Sequence, residues 1–330
     1  MSAGIDPGCV RLKLGSAHGR INAVEVCSER PVVAQALRGR NAGQAVSLVP
    51  LLFALCGKAQ GRAAQLALAA ARGTACAAHV DPGIEHEALR EHLWRWLLDL
   101  PPLLGAPAMQ FEFVEAMRWL SGGHRAELAA FLAGPRIEDL GWRLREIEDA
   151  GDARLHLLPA FDAHGSLAHV PRLDAGFCKR PQWQGAAAET GAFARRGCGD
   201  GIAAGALAMR WLARLAELRD WAAGNQKVGA PKGLPAVAGG TASAVPVEAG
   251  HGRALVETAR GLLVHEIRLE GERIADYFIV APTEWNFHPQ GPLAGWLLGR
   301  DASDRDALAG FAARAVAALD PCVRWEMDWL

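Results

Sequence analysis

Strict alternation of apolar and polar residues stands at two places in this chain, and the helical period governs most of what lies between them. Near the start, VRLKL (10–14) and RINAVEV (20–26) flank a Gly-Ser-Ala-His-Gly stretch and predict a β-hairpin. Near the end, LLVHEIRLEG and ERIADYFIVAP turn at Glu270-Gly271-Glu272 and predict a second. A chain patterned this way has two separate β elements and must bury a large helical middle against them.

That middle begins at about Ala42. Residues 45–55 and 62–71 are apolar and rich in Ala and Leu, with breaks expected at Gly57 and Gly61. Residues 85–100 place Leu89, Leu93, Trp96, Leu97 and Leu100 on one face, and Pro101-Pro102 should end that helix. Further helices are expected over 108–133, 137–150, 203–223 and 303–318. Residues 224–252, rich in Gly, Pro, Ala and Ser, predict a flexible loop within the domain or an interdomain linker.

Composition narrows the function classes. Over 330 residues a 51% apolar fraction supports a substantial core, and a net charge of −1 gives no electrostatic case for nucleic acid or an anionic membrane as partner. The most apolar run, AVSLVPLLFALCG, contains Pro50 and is shorter than the roughly 20 residues a membrane span needs. No basic-then-apolar signal pattern opens the chain. The expectation is a cytoplasmic protein whose seven scattered cysteines are reduced thiols.

Two of those thiols stand in suggestive settings. Cys322 follows Asp320-Pro321, a pair suited to cap and start a helix, which predicts the thiol in a first turn where the helix dipole favours thiolate. It reads equally as a small buried residue near a helix start. Cys56 ends an apolar run before Gly57 and, taken alone, is an inert core cysteine. Neither has a C-x-x-C partner. Arg260 in ETARGLLVH (257–265) and Thr283 in APTEWNFHP (281–289) are, in isolation, as consistent with a surface ion pair and a turn as with function.

Taken in order, these strings resemble the large subunit of nickel–iron hydrogenases. CGKAQGRA and DPCVRWEM sit where that family has CGxCxxxH and DPCxxCxxH; ETARGLLVH looks like EAPRGxLxH, and APTEWN looks like VPTTWN. KRPQWQGAAAETGAFAR (179–195) is similar to KAPRYxGxPxExGPLAR, and LRGRNAGQAV (37–46) to the RGRDPRD region. The departures are specific. Cys56 and Cys322 stand at the terminal-ligand positions, whereas Ala59 and Trp325 occupy the two bridging positions and Ala63 replaces a motif histidine. The family's proton-transfer glutamate is not matched in RLKLGSAH, and the C-terminal extension clipped after nickel insertion has no counterpart. Arg260 and Thr283 match the positions that receive the two cyanides of the family's iron, with Ala259 and Pro282 beside them.

The resemblance therefore implies a single α+β, mostly helical domain over 1–330, with central helices and small flanking β elements. The combination resembles hydrogenase accessory proteins of the HupK/HoxV type, truncated relatives of the large subunit. The expected function is a non-enzymatic maturation scaffold. Cys56 and Cys322 would transiently hold an iron carrying cyanide and carbon monoxide, with no nickel, because soft thiolates suit such an iron. The expected partners are the hydrogenase large-subunit precursor, small maturation chaperones and the iron-assembly complex. A metal-free chaperone mimicking the large subunit is the main alternative, and a catalytic hydrogenase with altered ligands a further one.

Overall fold

Val10, Leu12 and Leu14 are buried while Arg11 and Lys13 point outward, so the first strand has one face for the core and one for water. It forms β1 (Cys9–Ala17), paired antiparallel with β2 (Arg20–Glu29) as the alternation predicts. The computed structural model describes residues 8–29, 33–53, 55–147, 156–159, 170–196, 205–224 and 241–330.

Helices α1 (Ala42–Leu52) and α2 (Gly57–Ala71) follow. Gly61 lies inside α2 instead of breaking it, because α1 crosses there: a Cβ on Gly61 would lie 2.6 Å from Pro50 Cγ. A short strand, β3 (Cys76–Val80), leads to α3 (Pro82–Trp94), started by Asp81, whose carboxylate accepts the Gly83 and Ile84 N–H groups. Pro101-Pro102 does not stop the helical path. A wide π turn, Arg95–Asp99, absorbs the missing N–H groups and leads into α4 (Leu100–Leu103). The single helix expected over 108–133 is divided by Gly123, at φ +71°, into α5 (Gln110–Gly122) and α6 (Arg125–Leu132).

Next come α7 (Pro135–Arg145), α8 (Ala175–Lys179), α9 (Ala192–Arg196) and α10 (Ala206–Ala222). The loop expected over 224–252 needs correction. Residues 225–240 lie outside the described residues, but β4 (Thr241–Glu248) and β5 (His251–Thr258) are regular strands, with only the turn at 249–250 between them. Their small residues, Ala242, Ala244, Gly252 and Ala254, are there because a helix lies against them. The chain continues through β6 (Gly261–Glu270), β7 (Arg273–Val280), α11 (Pro282–Asn286), α12 (Pro292–Leu297), α13 (Arg305–Leu319) and β8 (Arg324–Trp329).

Two sheets result. β3-β4-β5-β6-β7 is antiparallel throughout, and β2-β1-β8 carries β8 parallel to β1, so the last strand returns to the first. The architecture is α+β and mostly helical. One apolar cluster joins α3, α5, α10 and α13 to the small sheet; a second joins α1 and α2 to the large one. No helix among the described residues is long and apolar enough to cross a membrane.

The contact of α2 with β5 is backbone to backbone: a Cβ on Gly252 would fall 2.1 Å from Ala71 N and 2.4 Å from Ala67 O. Gly252→Ala must push the sheet off the helix, and a loss of roughly 3 kcal/mol in urea unfolding is expected, the upper end for overpacking.

Candidate metal centre

The surroundings of Cys322 differ from the sequence expectation. The apolar face of α13 runs without interruption to Leu319, so Asp320 closes that helix rather than opening another, with φ at +56°. Its carboxylate is drawn inward to arginines and cannot turn back to cap an amide. From Arg324 the chain alternates again and pairs with β1, Trp325 opposite Val10. Cys322 therefore follows a helix C-terminus and does not lie in the first turn of a helix. What touches it is Thr283. The Cys322 N–H donates to Thr283 Oγ1 at 3.3 Å, and that hydroxyl lies 3.0 Å from Cys322 Sγ.

Cys56 has the setting predicted for the other thiol. α1 stops at Leu52, and Cys56 is the residue from which α2 starts. The free N–H groups there are already engaged: Glu87 of α3 accepts Lys58 N at 2.9 Å and Ala59 N at 3.1 Å. Burial pushes the Glu87 carboxyl up, and those two N–H groups pull it back. Ala59 and Ala63, where the resemblance has a cysteine and a histidine, are fully buried in the apolar layer between α2 and the large sheet. Trp325 likewise packs against the core through β8.

Arg260 projects from the tight turn between β5 and β6, with Ala259 buried beside it. Gly261 holds φ +123°, and a Cβ there would lie 2.4 Å from Thr190 Cγ2. Asn286 fixes the turn. Its Nδ2 donates to the Arg260 and Leu319 carbonyls, both at 3.3 Å, while its Oδ1 accepts Thr190 N–H at 2.9 Å. Thr190 Oγ1 in turn accepts Leu262 N–H at 2.9 Å. Pro282 starts α11 with a residue that needs no N–H partner, and Glu284 accepts the Ala281 N–H at 3.1 Å. One asparagine thus ties the segment at 190, the Arg260 turn and the end of α13 to α11.

The Arg260 guanidinium is 6% exposed and pairs with two carboxylates, Asp320 Oδ1 at 3.2 Å through Nε and Glu91 Oε2 at 2.9 Å through Nη2. Burial opposes its charge, but Asp320 and Glu91, then Cys322 and Cys56, hold it above the usual range. Both thiols thus lie within electrostatic reach of one buried cation. Asp320 also meets Arg95 at 2.7 Å, and its pKa is depressed: burial would raise it, but Arg260, Arg95 and Arg214 outweigh burial. Its Oδ2 has no hydrogen bond among the described residues. Burial, aided by the charges of Arg95 and Arg260, lowers Arg214 to about 10. Behind this group, Glu217 joins His92 at 2.8 Å and Arg195 at 3.0 Å.

Of the residues singled out from sequence, Cys322 and Thr283 are in contact, and Arg260 senses both thiols. Sequence reading missed Glu91, Glu87 and Asp320 as partners. The signal for the first two was an acid pair four residues apart on a buried helix face. Among the described residues no group of three His, Cys, Asp or Glu is placed to hold a metal ion.

Asp320→Asn strips the carboxylate from two buried arginines, Arg260 and Arg214, and from the part-buried Arg95, so a loss of about 3–5 kcal/mol in denaturant unfolding is expected. Glu217 supplies a pH test. Burial would raise it, but Arg195 and His92 hold it down to about 2 against an ordinary 4.5. Its contribution to stability is complete above about pH 4.5 and is lost as the pH falls from there towards 2, because the unfolded chain takes the proton first. Urea midpoints at stepped pH should show that slope flattened in Glu217→Gln.

Known proteins share the fold and much of the sequence of this chain. The nickel-dependent hydrogenase family matches residues 225–324. A chain of the nickel–iron–selenium hydrogenase of Desulfovibrio vulgaris Hildenborough superposes with a TM-score of 0.66 at 15% identity, covering 93% of this chain and 94% of that one. The hydrogenase expression/formation protein HupK of Azotobacter vinelandii is 30% identical over 97% of this chain and 98% of its own. HoxV of Cupriavidus necator, of the same description, is 33% identical over 92% of both chains. The chain belongs to the HoxV/HupK family of hydrogenase expression/formation proteins.

Proposed function

We propose that this chain is a non-enzymatic scaffold in the maturation of nickel–iron hydrogenase, and that its cargo is an iron carrying cyanide and carbon monoxide. Cys56 and Cys322 hold the iron as thiolates. Arg260 and Thr283 receive the cyanides, because a guanidinium gives charge-assisted hydrogen bonds to an anionic nitrogen and a hydroxyl gives a directional one. The cargo passes to the large-subunit precursor, with the small maturation chaperones and the iron-assembly complex as the other partners.

The observation that carries this reading is the Thr283 hydroxyl 3.0 Å from Cys322 Sγ, with the buried Arg260 guanidinium paired to Asp320, two residues before that thiol. The donor set fits the cargo. Two soft thiols suit low-spin iron, and an iron arriving with its own diatomic ligands needs few protein ligands. The hydrogen bonds of Arg260 to Asp320 and Glu91 use Nε and Nη2, so Nη1 is outside both. Two anchors also favour release over permanent insertion.

A second reading has its own support. Arg260 is neutralised by Glu91 and Asp320 without any cargo, as a metal-free chaperone would require. The two separate in one experiment. Protein purified anaerobically from cells with the full maturation machinery should show cyanide and carbonyl stretches in the infrared, and Cys56→Ser or Cys322→Ser should abolish them. Absent bands, together with full maturation by Cys56→Ala, would sink the cargo reading and leave the chaperone. Nickel found by elemental analysis would instead favour a catalytic site.

A further inference from the structure

Cys56 is the start of a buried hydrogen-bonded row. Gln60, one turn along α2 and 1% exposed, places Nε2 3.8 Å from Cys56 Sγ. Its Oε1 lies 2.9 Å from His265 Nε2 on β6, and His265 Nδ1 lies 2.8 Å from the Tyr277 hydroxyl on β7. His265 is fully buried and Tyr277 2% exposed, so neither has bulk water as a substitute partner.

The direction of the row follows from the sulfur. A thiolate has no proton to give, so the Gln60 atom facing it must be the amide N–H. Oε1 then faces His265 and needs a donor, which puts the ring proton on Nε2. Burial pushes His265 down to about 3, so the ring is neutral and has that one proton only. Nδ1 is left as an acceptor, and the Tyr277 hydroxyl donates to it. Every bond in the row then points towards Cys56.

We propose that Gln60 is the positioning residue for Cys56, presenting its N–H to the sulfur, and that His265, braced by Tyr277, fixes the amide in that orientation. This rests on the reading of Cys56 as a metal-binding thiolate. Groups that orient a metal ligand from behind are worth 10–100-fold in metal affinity. The alternative is that the row only satisfies buried polar atoms between α2 and the large sheet.

Cadmium(II), a soft cation with a thiolate charge-transfer absorption, probes the pair without the natural cargo. Reduced full-length protein is titrated with cadmium(II) against a competing chelator, and the absorption that disappears in Cys56→Ala is followed. Gln60→Leu and His265→Leu should weaken that binding about 10–100-fold. His265→Gln, whose amide supplies an N–H where Nε2 stood, should restore it to within about threefold, a rescue that a packing role alone does not give. If His265→Leu fails to fold, Gln60→Leu and His265→Gln decide. Wild-type affinity in Gln60→Leu, with binding still lost in Cys56→Ala, overturns the inference and leaves the site standing. An absorption unchanged by Cys56→Ala overturns the reading of Cys56 as a ligand, and the inference with it.

Discussion

Asp320 is a single buried carboxylate facing Arg260, Arg95 and Arg214, and much of the geometry around the thiols depends on it. Two of these guanidiniums are buried and the third is part-buried, and each would repel the others more strongly without that anion. To reach them the carboxylate must turn into the protein at the end of α13. The backbone follows by taking a left-handed conformation that a non-glycine residue adopts only under constraint. That turn brings Cys322 out against Thr283 and sends the next residues into β8. One electrostatic demand thus sets the end of a helix, the position of a thiol and the parallel pairing of the last strand with the first.

The charge environment of the two thiols has an unexpected source. A helix N-terminus favours a thiolate, but Cys322 follows a helix C-terminus, and the N–H groups beside Cys56 are held by Glu87. The positive charge common to both is Arg260. Because that arginine also binds Glu91 and Asp320, its position is fixed by the protein's own carboxylates. Asn286 reinforces this by holding the Arg260 carbonyl, the end of α13 and Thr190 through one side chain.

Much of the frame was legible in the sequence, because two-residue alternation and the helical period report burial directly. The terminal hairpins and the main helices lie where those patterns place them. The failures share a physical cause. Gly61 reads as a helix breaker, yet its missing side chain lets Pro50 approach. The small residues of β4 and β5 read as a loop, yet they are small because α2 rests on them. Asp320-Pro321 carries a local helix-start signal, and three arginines distant in sequence override it. Local rules fail where tertiary contact or a buried charge sets the backbone. For the same reason Glu91 and Gln60 were not visible as neighbours of the site: their partners lie 169 and 205 residues away.

The two positions that hold bridging cysteines in the hydrogenase pattern carry residues with packing roles of their own. Ala59 is fully buried in the layer between α2 and the sheet, and Trp325 packs into the core from a strand in register with Val10. Each now serves folding. A cysteine at 325 would replace a large apolar contact and would still be held in β8, whose ladder with β1 begins at Arg324. Cys322, held against Thr283, and Cys56, at the start of α2, are the two thiols on which the proposed site rests.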